Sequence, residues 1–145
     1  MDLDITRIFL LQPTNPLREA EDIDGAIELL ERTGADSVIS FSDAGERHPA
    51  RMKFIDENGR VQDPPFAEAF EGQPRQQLKR MFIRDGSVYL TRRDVLMLQS
   101  SLKGRDCRAW IIPEERSRNI DNDFDVFIVE QMFRYNRERP ANCHR

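Results

Sequence analysis

The order of secondary-structure signals at the start of the chain limits the fold more than any other feature. Residues 8–11 are a continuous apolar run, which two prolines in the next five residues end. A run of this kind is typical of a strand covered on both faces, as in a parallel sheet. Residues 20–33 then carry apolar side chains at helical spacing up to Gly34, and the segment DSVISF at 36–41 has the pattern of a second buried strand. The sequence therefore predicts a βαβ unit with a right-handed crossover, and so an α/β fold.

The rest of the chain continues in the same style within what we expect to be a single domain. The further signals are a hairpin at 50–62, a polar loop at 62–79, a strand and helix at 85–96, a strand at 107–113 and a helix at 122–135. Thr91 is placed to cap the helix within 85–96, and the last helix has an apolar face that includes Phe124 and Phe127. Ligands of such folds lie beyond the carboxyl ends of the strands. Two loops meet that condition, one after Leu11 and one after Ile112.

Composition excludes several classes of protein. The chain has 145 residues, a net charge of −4 and a pI near 5.3, and it has no basic stripe, which argues against nucleic-acid binding. No apolar run approaches the ~20 residues needed to cross a bilayer. Two cysteines, Cys107 and Cys143, make neither a disulfide framework nor a zinc site. We expect a cytoplasmic protein with reduced thiols.

An acidic cluster stands between the strand at 107–113 and the last helix. Asp121, Asp123 and Asp125 follow Asn119 there. Carboxylate oxygens at a strand end are ligands that Mg²⁺ takes, with phosphate oxygens and water completing its octahedron. The alternative is that these residues cap the helix and complement its dipole.

Two further groups of polar residues suggest a polar or anionic ligand. In the loop after Leu11, Gln12, Asn15 and Arg18 could hydrogen-bond a ligand, or could be ordinary turn residues with Arg18 paired to a nearby glutamate. The other group is a local positive patch, which would attract an anion or be a solvated charged face. Its members are Arg75, Lys79, Arg80 and Arg84. No Gly-rich phosphate loop of a standard type is present.

Several colinear segments closely resemble the acylneuraminate cytidylyltransferase family, the CMP-sialic acid synthetases and their relatives. The segment LLQPTNPLR resembles the family's LLQPTSPLR strand and loop, and HPARMKFID resembles its HPxxMK segment. RQQLKRMFIRDGSVY is similar to RQDLPxxYxxNGAIY, and PEERSRNIDNDFD to the ERSxDIDTxxD metal site. The resemblance covers about residues 5–133, and motifs in the same order are far more specific together than any one alone.

The resemblance implies a fold, a reaction and partners. The fold would be the C-terminal part of a Rossmann-like nucleotide-diphospho-sugar-transferase domain, three-layered with a mixed sheet, whose first βαβ half is missing. In the reaction, the anomeric hydroxyl of a nine-carbon 2-keto sugar acid attacks the α-phosphate of CTP, pyrophosphate leaves and Mg²⁺ neutralises the developing charge. The family also implies a homodimer, for which residues 57–82 and 98–106 are candidate contact segments.

The family's roles carry over residue by residue. Asp121 matches the second Asp of DID and would hold Mg²⁺, Gln12 and Tyr89 match sugar-contacting positions, and Arg75 matches an arginine that holds the sugar carboxylate. The implied set is Lys53 and Asp121 for catalysis; Gln12, Asn15, Arg18, Arg75, Asp85 and Tyr89 for substrate binding; and Asp121 with Asn119 for the metal.

The chain departs from the family pattern at three points. Asn119 replaces the first Asp of DID, Gln77 replaces the Asp of RQD, with Lys79 where the family has proline, and the Gly-rich PARxGSKxxxxKN loop that cradles CTP is absent. We therefore expect a truncated or shortened synthetase that is inactive alone, with its first βαβ half preceding this chain. The alternatives are a non-catalytic dimeric binding or assembly module and, with less weight, an α/β domain whose resemblance is only ancestral.

Overall fold

The computed structural model describes residues 4–138, so Cys143 lies outside the described residues. The chain forms two compact units. The sheet unit contains residues 4–42 and 84–138, and the hairpin unit contains residues 43–83. The elements are β1 (Arg7–Leu10), α1 (Ala20–Thr33), β2 (Ser37–Asp43), β3 (Phe54–Ile55), β4 (Val61–Gln62), β5 (Phe82–Arg92), α2 (Arg93–Gln99), β6 (Cys107–Ile111) and α3 (Asp123–Glu138).

A four-stranded mixed sheet organises the sheet unit. Its strand order is β1-β5-β2-β6. β2 and β6 are parallel, with Val38 opposite Arg108, whereas β1 and β5 are antiparallel, with Phe9 opposite Leu90. The α/β class expected from the sequence is confirmed, with parallel and antiparallel pairs in one sheet.

The expectation that β1 is covered on both faces in a parallel sheet is wrong. Within the described residues β1 is an edge strand paired antiparallel with β5, and Leu10 and Leu11 are exposed. β5 also separates it from β2, so the two strands joined by α1 are not neighbours. A short apolar run has no feature that distinguishes a central strand from an edge strand, because only its partners differ.

α1 has the predicted bounds, and local chemistry explains both ends. Asp22 in its first turn accepts a hydrogen bond from the backbone N–H of Glu19 at 2.9 Å. Gly34 adopts a left-handed φ of 65°, and its N–H donates to the Leu30 carbonyl at 2.9 Å. The apolar face of α1 packs on the sheet in a core that joins Ala26, Leu30, Ala35, Val38, Val88 and Leu90.

One expectation about the other helices is corrected, and the surroundings of the last helix are defined. Thr91 does not cap α2, because it is a buried β5 residue whose hydroxyl donates to the Leu102 carbonyl at 2.6 Å. In α3 the side chains of Phe124 and Phe127 stack on each other but remain exposed, and the buried residues are Asp125 and Val129. No helix of the described residues is long and apolar enough to cross a membrane.

The hairpin unit contains the predicted hairpin. β3 and β4 pair antiparallel, and the Asp56 carboxylate accepts hydrogen bonds from the backbone N–H groups of Asn58 and Arg60, each at 2.9 Å. Gly59 takes a positive φ of 78° in the same turn. The polar segment 62–79 is largely irregular, as expected, with a 3₁₀ turn at Arg75–Gln77.

Candidate functional site

The loop after β1 is fixed to the middle strand β5. We call residues 12–18 the proline loop. The Gln12 carbonyl accepts a hydrogen bond from the Asn15 N–H at 3.2 Å and from the Arg18 guanidinium at 3.4 Å. The same Arg18 nitrogen donates to the Ser87 carbonyl at 2.8 Å. Arg18 therefore holds the loop on the sheet. Within residues 4–138 it does not make the ion pair with a nearby glutamate that the sequence allowed.

The proline loop contacts the loop that follows β6. We call residues 119–122 the aspartate loop. The Ile120 N–H donates to the Thr14 carbonyl at 2.9 Å. The Asn15 side-chain nitrogen Nδ2 lies 3.3 Å from the side-chain oxygen of Asn119, 104 residues away, and Asn119 Nδ2 lies 2.5 Å from Asp121 Oδ1. A chain of side-chain hydrogen bonds thus joins the two loops and ends on Asp121.

The aspartates at the start of α3 divide into structural and available side chains. Asp125 is buried and accepts hydrogen bonds from Arg118 at 2.5 Å and from the Asp121 N–H at 3.1 Å. The bond from Arg118 is the main cause that lowers the pKa of Asp125, with a further contribution from the Asp121 backbone. Asn122 accepts a bond from the Asp125 N–H at 3.1 Å, so the capping interpretation holds for these two residues. The carboxylate of Asp121 is exposed.

The donor set fits a cation that brings most of its own ligands. Among residues 4–138 there is no group of three or more His, Cys, Asp or Glu side chains that could hold a metal ion. Mg²⁺ commonly takes one or two protein carboxylates and completes its shell with phosphate oxygens and water. Asp121 offers one exposed carboxylate of this kind, and Asn119 lies beside it as a hydrogen-bond donor.

β5 brings further predicted residues beside the proline loop. Gly86, at a φ of 84°, lies so close to the Gln12 carboxamide that a Cβ at this position would collide with it. The Asp85 carboxylate accepts hydrogen bonds from the hydroxyls of Ser40 at 2.5 Å and Ser87 at 2.7 Å, so it connects β2 to β5. Tyr89 is buried, and the Arg84 guanidinium lies 5.8 Å from its ring centroid.

The remaining predicted residues belong to the hairpin unit. Lys53 is hydrogen-bonded to Asp63, and this bond is the main cause that raises the pKa of Lys53. Arg75 lies 3.7 Å from Asp43, which also binds Arg80 at 2.7 Å. These two arginines of the positive patch therefore have an acidic partner within their own unit.

A buried ionic cluster that the sequence does not predict lies at the start of α1. Asp22, only 1% exposed, accepts two bonds from Arg116, at 2.5 and 3.1 Å, and one from the Trp110 indole at 3.1 Å. Burial alone would raise the pKa of Asp22, but the hydrogen bonds from Arg116, the Glu19 backbone and Trp110 outweigh it and lower the pKa. The cluster fixes Arg116, five residues before Asp121, to α1. The sequence offered only an acid in a first helical turn, which the helix dipole already explains.

The mixed sheet is compatible with an α/β nucleotidyltransferase fold. Comparison with known proteins finds that this chain is similar to several nucleotidyltransferases. No family model matches the chain. It is 26% identical over 125 residues to the N-acylneuraminate cytidylyltransferase of Streptococcus agalactiae serotype V, a match covering 86% of this chain and 30% of the relative. It is 26% identical over 139 residues to the CMP-N,N'-diacetyllegionaminic acid synthase of Legionella pneumophila, covering 95% of this chain and 58% of that protein.

A vertebrate protein gives the same result. The chain is 29% identical over 122 residues to the N-acylneuraminate cytidylyltransferase A of Danio rerio, covering 83% of this chain and 27% of the relative. The resemblance to acylneuraminate cytidylyltransferases inferred from the motifs is therefore confirmed, and the chain spans between about a quarter and three fifths of the length of these curated relatives.

Proposed function

We propose that this chain forms the sugar-acid and cation side of a cytidylyltransferase that joins CMP from CTP to a nine-carbon 2-keto sugar acid. The relatives are named for this type of reaction, and the fold would be the Rossmann-like, three-layered one of nucleotide-diphospho-sugar transferases. The observation that carries the proposal is the contact between the proline loop and the aspartate loop. It places the exposed carboxylate of Asp121 at one end of a chain of polar groups that begins at Asn15.

The proposed roles of the site residues follow from the charge of each side chain. Asp121 would hold Mg²⁺, which when bound neutralises charge on the nucleotide phosphates. Gln12, beside Gly86, would offer its carboxamide to the sugar acid, whose hydroxyls both donate and accept hydrogen bonds. Lys53 and Arg75 keep their roles as predictions from the resemblance, and an anionic ligand at either residue would compete with its present carboxylate partner.

We further propose that the 145-residue chain by itself binds a sugar acid but does not complete the transfer. Its sequence has no Gly-rich loop to donate hydrogen bonds to the CTP phosphates. Loss of a single donor of this type costs about 2.7–4 kcal/mol of transition-state stabilisation, and a phosphate loop supplies several.

Isothermal titration separates the two sides of the site. The chain with Mg²⁺ is titrated with N-acetylneuraminic acid and separately with CTP, and the same mixtures are assayed for CMP-sugar. We expect heat with the sugar acid, little or none with CTP, and no product. Clear CMP-sugar formation would contradict the inactivity of the isolated chain. Absence of sugar-acid binding would contradict the proposed side of the site.

A matched pair of variants tests the cation role. In a titration with Mg²⁺ alone, Asp121→Asn should lose binding of the cation, because it removes the exposed carboxylate. Asp123→Asn, which removes a second exposed carboxylate two residues along, should behave as wild type. Equal effects of the two substitutions would argue for a general charge effect and against a site at Asp121.

A second candidate function is a non-catalytic dimeric binding or assembly module. The observation that favours it is the exposed aromatic face of α3, where Phe124 is 66% exposed and Phe127 stacks against it. Exposed apolar patches of this kind often mark protein–protein contacts. Light scattering would show a concentration-dependent dimer that Phe124→Ser weakens, and a strictly monomeric chain would count against this function.

A further inference from the structure

We propose that Asn15 and Asn119 are positioning residues, which orient the Asp121 carboxylate for a divalent cation through the chain of bonds from Asn15 to Asn119 to Asp121. In this arrangement Asn119 is a hydrogen-bond donor to Asp121 and does not act as a second metal ligand. The inference rests on the proposed cation role of Asp121.

The first observation is the orientation of the Asn119 side-chain amide. The Asn119 nitrogen Nδ2 faces Asp121 Oδ1 at 2.5 Å, and the Asn119 oxygen faces the Asn15 nitrogen at 3.3 Å. Turning the Asn119 amide over would put its oxygen against a carboxylate oxygen, which is repulsive when Asp121 is ionised. The carboxylate therefore fixes the direction of the whole chain. A cation shared by Asn119 and Asp121 would need the opposite orientation.

The second observation is the burial of Asn15. Asn15 is 2% exposed, yet its side-chain oxygen has no hydrogen-bond partner among the described residues. A buried amide oxygen without a partner destabilises the fold, and an apolar side chain would not have this penalty. Packing therefore does not explain an asparagine here. The hydrogen bond from its side-chain N–H to Asn119 explains the asparagine.

The backbone supports the same arrangement from the other side. The bond from the Ile120 N–H to the Thr14 carbonyl holds the residue next to Asn15 against the residue between Asn119 and Asp121. The two side-chain bonds therefore form between segments that are already fixed. Groups that orient a metal ligand in this way commonly change metal affinity by about 10–100-fold when they are removed.

The test is titration of the full 145-residue chain with Mn²⁺, measured as free Mn²⁺ by electron paramagnetic resonance. We expect Asp121→Asn to abolish binding, and Asn119→Ala and Asn15→Ala each to weaken it by about tenfold. The double variant should be no weaker than Asn119→Ala alone, because the two residues act in series. Asp123→Asn is the matched control and should bind as wild type. Asn15→Ser gives a second, polar substitution should the alanine variant not fold.

A measurement without metal checks the bond itself. In the ¹H–¹⁵N spectrum of the metal-free chain, the side-chain amide signals of Asn119 should shift in both Asn15→Ser and Asp121→Asn. A merely structural role of Asn15 would change thermal stability but leave Mn²⁺ affinity unchanged. Wild-type affinity in a folded Asn15 variant would overturn the inference and leave the Asp121 site standing. Equal Mn²⁺ binding by wild type and Asp121→Asn would contradict the proposed cation role of Asp121, and with it the positioning roles of Asn15 and Asn119.

Discussion

The sheet unit and the hairpin unit both contain ion pairs, but the pairs differ in burial. In the sheet unit the side chain of Asp22 is 1% exposed and accepts bonds from Arg116 and Trp110. In the hairpin unit Lys53 pairs with an Asp63 that is 68% exposed. A buried carboxylate that loses its partners stays desolvated, whereas an exposed one returns to water. Loss of an ion pair of similar geometry should therefore cost more stability in the sheet unit than in the hairpin unit.

The apolar side chains show the same contrast. The sheet unit buries Val38, Val88 and Leu90 between its strands and α1, whereas Ile55 in the hairpin unit is 72% exposed. A polar loop keeps a defined shape only where the elements beneath it are packed. This favours the sheet unit as the support of the proline and aspartate loops, and the comparison can be tested by substitution.

The largest expected change in the free energy of unfolding comes from removing the buried carboxylate of Asp22. Asp22→Ala leaves Arg116 and the Trp110 indole without their partner, and breaking a buried pair in this way costs about 3–5 kcal/mol. Asp63→Ala in the hairpin unit should leave stability unchanged within error. Urea unfolding followed by far-UV circular dichroism measures both, and equal destabilisation would remove the contrast between the units.

The next effect is a cavity in the core. Leu90→Ala should lower the free energy of unfolding by about 2–5 kcal/mol, because Leu90 is fully buried against α1. Ile55→Ala should change it by less than about 0.5 kcal/mol. The fluorescence of Trp110, the single tryptophan, follows unfolding of the sheet unit directly. A small effect at Leu90 would mean that this core is loosely packed.

A smaller effect tests how tightly α1 sits on β6. An alanine at a helical glycine normally stabilises by about 1 kcal/mol, but a Cβ at Gly25 would collide with the ring of Trp110. Overpacking costs about 1–3 kcal/mol, so we expect Gly25→Ala to destabilise by roughly 1 kcal/mol. In a Trp110→Ala background the same substitution should stabilise. Stabilisation in the wild-type background would show that the ring moves away freely.

The smallest effect is a pH dependence. The pKa of Asp22 is lowered in the folded state, because its hydrogen bonds outweigh the effect of burial. The folded protein then binds fewer protons than the unfolded chain, so this stabilisation is complete above the unfolded pKa of about 4 and is lost as the pH falls through the folded value. The stability difference between wild type and Asp22→Asn, from urea midpoints at pH 3 to 7, should narrow in acid. A difference independent of pH would contradict the ionised pair.

The elements that local chemistry determines were predicted well from the sequence. α1 has its apolar stripe and its Gly34 stop within one segment, and the β3–β4 turn has Asp56 and Gly59 within four residues. Thr91 was misassigned because a hydroxyl near a helix start suggests a cap, whereas its partner, the Leu102 carbonyl, lies beyond α2. The exposed Phe124 and Phe127 show that helical spacing predicts a face but not what covers it.

The geometry of the candidate site could not be predicted for the same reason. The motifs indicated Gln12, Asn119 and Asp121, but their connection depends on a contact across 104 residues. The partners of Asp22 lie up to 94 residues away, and the sequence carries no local signal for them. Long-range polar pairing is set by topology, which a pattern of residues does not specify.

The most direct test of the account is a ¹H–¹⁵N titration of the labelled chain with N-acetylneuraminic acid in the presence of Mg²⁺. We expect the amide signals of residues 12–18 and 119–122 to shift together along one binding curve, and Gln12→Ala to weaken that binding. Binding that leaves both loops unchanged, or no binding at all, would contradict the claim that these loops form the sugar-acid and cation side of the site.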